Sequence, residues 1–308
     1  MSTQILLDCD PGHDDAIALL LALASPEVEL LGVTTVGGNQ TLEKTTANAL
    51  RVLEFVGRED VPVAAGAERP LARELFVAAY VHGESGLDGP TLPPPRGAPV
   101  EQHAVDFLAE QIVAAPRPVT LVPTGPLTNV ALLLAFHPEV AGRIERVVLM
   151  GGSIAEGNVT PAAEFNIWWD PEAAWRVFRS GLDVTMIGLD VTHKALFTPA
   201  HAGGLRETGR VGELVADLFG FYHRFHAETY GFAGSPIHDA VAVAHVLRPG
   251  LVETLERHVE IETESELCRG RTVVDLWRRT GNEPNAHVGV EIDSGAFLEL
   301  LVDRLASL

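Results

Sequence analysis

This sequence predicts an α/β fold with a mostly parallel central sheet and helices on both faces, on three observations. Short apolar runs recur along the chain and end in Gly, Pro or Asp, as buried strands do. Helical patterns lie between several of them. The alternation of the two is the arrangement that wraps a parallel sheet. With 308 residues, 46% of them hydrophobic, the chain can build a large core, and residues 1–308 read as one domain.

The elements follow in order. "QILLDCD" is the first strand and "DDAIALLLALASP" the first helix; "VELLGVTTVGG", "TLEKTTANALRVLEFVG" and "VPVAAG" continue as strand, helix and strand. The glycine-rich "VHGESGLDGP" and the proline-rich "TLPPPRGAPV" (91–100) suit a mobile flap better than a domain boundary, because the alternation resumes beyond them. It does so with "HAVDFLAEQIVAA", "PVTLVPTG", "PLTNVALLLAF" and "RVVLMGG", then with "PEAAWRVFRSG" and "DVTMIGLD". Beyond about residue 200 the pattern turns helical, in "VGELVADLFGFYHRFHAETY" and "HDAVAVAHVL", an extra helical segment toward the C-terminus. "HVEIETE" and "GRTVVDLW" read as a hairpin, and "GAFLELLVDRLASL" as the last helix.

The net charge of −20, from 22 basic and 42 acidic residues, argues against nucleic acid as a partner and favours cations. The longest apolar run, "AIALLLALA", is far short of a membrane span, so no membrane association is expected. "MSTQILLDCD" lacks the features of a signal peptide, and two distant cysteines, Cys9 and Cys268, make no disulfide framework. A cytoplasmic location follows as the expectation. Cys9, flanked by Asp8 and Asp10, reads as a small buried residue rather than a nucleophile, since its neighbours raise a thiol's pKa.

Ligands of such sheets bind at the carboxyl ends of the strands. Asp10, Asn39, Thr124 and Met150 all follow strands and share that rim. "LLDCDPGHDDA" (6–16) crowds Asp8, Asp10, Asp14 and Asp15 there. Acids in a helix's first turn gain only about 0.3–1 kcal/mol each from its dipole. That is too little to hold the carboxylates of Asp10, Asp14 and Asp15 in one buried volume. A hard divalent cation with oxygen ligands would hold them, and without EF-hand spacing its shell must come from distant segments.

"LLDCDPGHDDAIAL" resembles the amino-terminal signature of the nucleoside hydrolases of the inosine–uridine type. The resemblance continues in "TTVGGN" (34–39), "PTGPLTN" (123–129), "VVLMGG" (147–152), "GNVTPAAEFNIWWDPEAA" (157–174) and "HDAVAVAH" (238–245), in family order over most of the chain. It implies a Rossmann-like nucleoside hydrolase fold, Ca²⁺ as cofactor, a ribonucleoside as substrate, and a homo-oligomer, tetramer or dimer. Asp10 would bind calcium and activate water, with Asp15, the Thr124 carbonyl and Asp239 as further ligands. Asp14 and Asn166 would hold ribose hydroxyls, Asn158 and Glu164 the 5′-hydroxyl, and Asn39 would lie near the attacking water. Met150 would form a wall beneath the ribose. In one branch of the family a histidine at the position of His238 protonates the leaving base, and His82 resembles a second base-contacting histidine. The family places base contacts on the helix that carries Tyr222, His226 and Tyr230; His226 departs from the tyrosine of some relatives.

Plainer readings stand beside these. Asn39 could cap the following helix, Thr124 and Asn158 could be turn residues, and Met150 could be core. Glu164 and Asn166 fall in a stretch read as a loop of low turn propensity, which favours a site role. Tyr222, His226 and Tyr230, four apart on one helix face, could be packing. Trp168 and Trp169 read as core or interface, and His137 and His201 as ordinary. Three functions compete: hydrolysis of the N-glycosidic bond of common ribonucleosides or of a rarer riboside, nucleoside binding without catalysis, and phosphoryl transfer. The last is disfavoured because no lysine sits at a phosphate-binding position.

Overall fold

A computed structural model describes residues 2–308. β1 (Thr3–Cys9), α1 (His13–Leu23), β2 (Val28–Thr35), α2 (Leu42–Phe55) and β3 (Val63–Ala65) open the chain. A short helix α3 (Ala79–His82) interrupts the stretch before α4 (Ala104–Ala114), β4 (Val119–Pro123), α5 (Thr128–Phe136) and β5 (Ile144–Met150). Next come α6 (Phe165–Trp169), α7 (Pro171–Phe178), β6 (Val184–Ile187), α8 (Leu189–Thr192) and β7 (Leu196–Phe197). The helical region comprises α9 (Pro199–Arg206), α10 (Arg210–Tyr230), the short β8 (Ser235–Pro236) and α11 (His238–Leu247). β9 (Val252–Arg257), β10 (Val259–Ile261), β11 (Thr272–Val274), β12 (Ala286–Ile292) and α12 (Ser294–Ala306) finish it.

The main sheet has eight strands in the order β3-β2-β1-β4-β5-β6-β12-β9, parallel except that β9 runs antiparallel to β12. β9 and β12 are the strands that the apolar-run pattern does not reveal. "VETLER" and "AHVGVEI" carry too many polar residues to read as buried, and β9 is an edge strand. β10 and β11 pair antiparallel, as the hairpin reading expects.

Strand order reverses between β1 and β4, and a crevice opens outside the carboxyl ends of strands at such a switch point. Both helices that deliver acids to it are core helices. α1 is buried from His13 to Ala22 and α11 along all of its length, so beyond the first turn α1 is apolar around its circumference and α11 is too, save for the buried His245. Every strand between β3 and β6 is parallel and its inner residues are buried on both faces, which explains the near-continuous Val, Ile and Leu runs.

The segment before α4 crosses the rim of the sheet and is tied down along its course. Leu71 N–H donates to Asp170 (2.9 Å), Arg73 pairs with Glu172, and Trp169 Nε1–H donates to the Phe76 carbonyl (2.7 Å). Asn48 of α2 donates to the carbonyls of Pro11 (3.0 Å) and Ser85 (2.8 Å), joining this segment to the turn after β1. Among the described residues, no helix is long and apolar enough to cross a membrane.

Leu20 on α1 is fully buried, whereas Val113 on α4 is 59% exposed. Leu20→Ala should cost about 2–5 kcal/mol and Val113→Ala less than about 0.5 kcal/mol. Urea unfolding midpoints measure both; equal shifts would contradict the placement of α1 in the core.

Candidate active site

β1 ends in the turn Asp10-Pro11-Gly12, which feeds α1 and its first-turn acids Asp14 and Asp15. Asp10 is fully buried. Its Oδ2 accepts the Asn39 backbone N–H (2.7 Å), while its Oδ1 is enclosed with no hydrogen-bond partner. Two glycines make room for this carboxylate. A Cβ at Gly38 would lie 2.1 Å from Oδ2 and one at Gly125 2.5 Å from Oδ1, so the backbones of "VGGN" and "PTG" can approach only without side chains.

Asp15 is the most heavily bonded acid. Its Oδ2 accepts from Gly12 N–H (3.0 Å) and Asn39 Nδ2 (3.1 Å), and its Oδ1 from Thr124 Oγ1 (3.0 Å) and Asp10 N–H (3.3 Å). Ligand atoms of Asp14, Asp15 and Asp239, the last from the first turn of α11, lie within 4.8 Å of one another. Asp10 stands outside this tightest group and adjoins it through Asp15.

Burial pushes the whole cluster above the usual carboxylate range, and neighbouring carboxylates add to it at Asp10, Asp14 and Asp239. Asp10 and Asp239 rise well above it, Asp14 reaches about 8, and Asp15 rises against its own hydrogen bonds. Four buried acids, one with an unpartnered oxygen, form an oxygen-only donor set that fits a hard divalent cation.

Asp8, two residues before Asp10, plays no part in this cluster. Its Oδ1 accepts from Thr34 Oγ1 (2.6 Å) and Asn129 Nδ2 (2.8 Å), beneath the sheet's rim, and burial raises it to about 6.

Above the acids lies a half-open pocket. Asp14, Asn39, Thr124, Met150, Asn158, Glu164, Asn166 and Asp239 line its lower part. Asn166 donates to the carbonyls of Thr124 (2.7 Å) and Met150 (3.2 Å), which leaves its Oδ1 free. Asn158 Oδ1 accepts Phe165 N–H (2.9 Å).

The stretch around Glu164 and Asn166 corrects the loop reading: it is α6, with Glu164 as its N-cap. Glu164 Oε1 accepts Asn166 N–H (2.9 Å), and its Oε2 accepts those of Gly152 (2.9 Å) and Ile167 (3.2 Å). Burial still raises it to about 7. Asn39 does not cap α2; Thr41 holds that position, and Asn39 instead braces Asp10 and Asp15.

The upper wall is aromatic. His82, Tyr222, His226, Tyr230 and His238 line it, and so do Tyr80, His193 and Phe225, which sequence reasoning missed. His226 packs on Tyr222 (ring centroids 4.4 Å apart) and lies 6.3 Å from His238. Desolvation drives His82 and His238 well below the ordinary histidine range and His226 to about 4, so the three rings are neutral near pH 7. His13, also missed, lies behind the wall, stacked against His82 and Phe221 with Nε2 2.8 Å from the Asp88 carbonyl. One signal could have found His193: it follows β6 at the same rim, in "GLDVTH". Trp169 is core and Trp168 partly buried, as expected.

The family model described as inosine-uridine preferring nucleoside hydrolase matches residues 5–299. The chain is 53% identical over 308 residues to the pyrimidine-specific ribonucleoside hydrolase RihA of Citrobacter koseri, covering 99% of each. Among solved structures it resembles a purine-preferring ribonucleoside hydrolase from Gardnerella vaginalis (TM-score 0.93, 35% identity, 99% and 98% of the two chains). A plant nucleoside hydrolase is as similar (TM-score 0.93, 33% identity, 99% of each). The chain belongs to the inosine-uridine preferring nucleoside hydrolase family. It is an enzyme, a ribonucleoside hydrolase.

The raised acids have a consequence for stability. With Asp14 shifted from 3.8 to about 8, the folded metal-free protein binds more protons than the unfolded chain in that interval, so its stability falls as pH rises through it. Below about pH 6.5 the buried neutral histidines act in the opposite sense, so thermal denaturation of chelated protein should give a Tm that declines from about pH 7 to about pH 8, with added calcium restoring most at the alkaline end. A Tm that rises over this window without metal would contradict the buried cluster.

Proposed function

We propose that this enzyme hydrolyses the N-glycosidic bond of pyrimidine ribonucleosides to free base and ribose, with a calcium ion in the acid cluster. The observation that carries the reading is a buried acid set, with Asp14 and Asp239 lining a pocket walled by amides and neutral histidines and with Asp15 and Asp10 adjoining them. The pyrimidine preference is supported by the name of the 53% identical relative. Residues 1–308 act in this reading as one catalytic domain, in the cytoplasm, as a homo-oligomer (dimer or tetramer) with a role in nucleoside salvage.

Asp10, Asp15, Asp239 and the Thr124 carbonyl would hold the ion, with Asp14 beside them. A calcium ion held there would supply positive charge that acidifies water and attracts hydroxyl oxygens. The remaining chemistry belongs to the chain's own groups. Asp10 accepts a proton from the attacking water through its unpartnered Oδ1. The water oxygen bonds to C1′ as the C1′–N bond breaks and its electron pair moves into the base. Positive charge on the ribose meets carboxylates and amide oxygens, which are aimed at it before the reaction begins. Asp14 and the free Oδ1 of Asn166 position the diol, Asn158 and Glu164 the 5′-hydroxyl, and Met150 the ring face. His82, Tyr222, His226 and Tyr230 face the base, and His238 donates to it as it leaves.

Release of reducing sugar from uridine and cytidine without added phosphate tests the reaction. Binding of nucleosides without release would leave a binding protein, and turnover of unusual ribosides alone would point to a rarer substrate. With the diol held at the acid cluster, 2′-deoxyuridine should be poorer than uridine by orders of magnitude in kcat/KM, since its absent hydroxyl leaves buried groups unpaired. Comparable values would remove the diol contacts.

His238→Ala should depress hydrolysis of uridine by roughly 10²-fold or more and largely spare 4-nitrophenyl riboside, whose leaving group departs without a donor. Asp10→Asn should depress both, because both need activated water. Equal losses in His238→Ala would reassign that residue to ribose or metal.

A further inference from the structure

We infer that Thr192 is a positioning residue of this site: its hydroxyl fixes His238 in the tautomer whose pocket-facing Nε2 carries the hydrogen. This makes His238 the hydrogen-bond donor to the departing base. The inference rests on the proposed nucleoside hydrolysis and adds how its donor is made.

Thr192 is the last residue of α8 and is fully buried, with Oγ1 2.7 Å from His238 Nδ1. The segment around it is anchored to the loop after β5 on both sides. Leu189 N–H donates to the Gly152 carbonyl (3.0 Å), the Asp190 carboxylate accepts Ile154 N–H (2.6 Å), and His193 Nδ1 lies 2.9 Å from Glu156. A helical threonine commonly turns its hydroxyl back to the carbonyl one turn earlier. Here that carbonyl, of Gly188, already accepts the amides of Val191 and Thr192 (both 3.1 Å), and Oγ1 has no backbone partner among the described residues.

The hydroxyl has one hydrogen and one acceptor in reach, Nδ1 of His238. The opposite assignment, with Nδ1–H donating to Oγ1, would strand the hydroxyl hydrogen in a buried place without an acceptor, the costly way to leave a polar group. Nδ1 is therefore the acceptor, and the ring's hydrogen is on Nε2. That nitrogen has no protein partner and is not enclosed, and His238 lines the pocket.

His226 is held the other way round. Its Nδ1 lies 3.1 Å from the Tyr222 carbonyl, which can only accept, so Nδ1 carries the hydrogen and Nε2 offers a lone pair. Two rings 6.3 Å apart thus present opposite hydrogen-bonding character to one space. Of these two rings, only His238 can donate to a base that gathers electron density as the C1′–N bond breaks. The balance closes without ionising the ring: the base departs with the bond's electron pair, hydrogen-bonded to His238 Nε2–H, which keeps its hydrogen, and takes a proton from solvent water once released, while Asp10 gives back to solvent the proton it accepted from the attacking water.

The test uses the full-length enzyme and two variants, Thr192→Val, which removes only the hydroxyl from a similar shape, and Thr192→Ser, which keeps it. Thr192→Val should lower kcat on uridine about tenfold with KM little changed, and leave 4-nitrophenyl riboside within about twofold. Thr192→Ser should recover most of the loss on uridine. Two-bond ¹H–¹⁵N spectra of histidine-labelled protein, with His238 assigned by its absence in His238→Ala, should show Nε2–H and a bare Nδ1. An Nδ1–H signal overturns the inference, and so does an unselective loss in Thr192→Val or none at all. A leaving-group-selective His238→Ala beside an unselective Thr192→Val sinks this inference alone. An unselective His238→Ala sinks the proposed donor role instead, and the spectra read the tautomer whether or not nucleosides are turned over.

Discussion

Four carboxylates buried within reach of one another repel, and the architecture around them is arranged to keep them there. The strand-order reversal between β1 and β4 opens the space, and the N-termini of α1 and α11 direct their positive ends into it. Gly38 and Gly125 let two backbones close on Asp10, and Asn39 N–H, Gly12 N–H and Thr124 Oγ1 supply donors. These donors do not bring the acids back to the ordinary range, and this is what the proposed reading answers with positive charge: a cation at rest and an oxocarbenium-like ribose during reaction. The same requirement explains why α1 and α11 are core helices. An exposed helix would hydrate its first-turn acids and relieve the repulsion that the site uses.

Much of this was legible in the sequence, for reasons that differ by residue. Asp10, Asp14 and Asp15 fall within one short segment at a strand's carboxyl end, so local spacing and the rim rule suffice. Asp239 comes from a distant helix, and only the family resemblance joins it to the others. Asp8 looks the same as Asp10 in one dimension, but it still belongs to β1, where Thr34 and Asn129 claim it. Glu164 read as a loop residue because a five-residue helix is too short to show a period; its cap is visible only in three dimensions. His13 and Thr192 act through partners more than thirty residues away, in the contacts of His13 with His82 and of Thr192 with His238, and no local pattern announces such pairs. β9 and β12 escaped for a related reason, since edge and near-edge strands alternate with polar residues and lose the buried signature.

The two halves of the pocket differ in character. The floor is anionic in composition, and the wall above it holds rings that burial keeps neutral, with His238 covalently next to Asp239. A histidine beside a carboxylate is often drawn toward the charged form; here desolvation dominates and the ring stays a directional, uncharged hydrogen-bonding group. Neutral groups with fixed donor or acceptor character suit a neutral heterocycle, whose edges differ in where hydrogens sit rather than in charge.

The same division bears on why the reaction is hydrolysis. Enzymes that transfer a ribosyl group to phosphate need cationic donors for that anion, usually arginine or lysine. None of the residues lining this pocket is either one, and the position proposed for the 5′-hydroxyl is occupied by the carboxylate of Glu164. A phosphate entering as nucleophile, or carried on a nucleotide's 5′-oxygen, would meet carboxylates from this chain and no arginine or lysine among the lining residues to offset its own charge. Water carries no such penalty. In the proposed reading, the acid cluster that would admit a cation and stabilise a cationic sugar would also disfavour anions, so a single electrostatic choice would select nucleosides over nucleotides and water over phosphate.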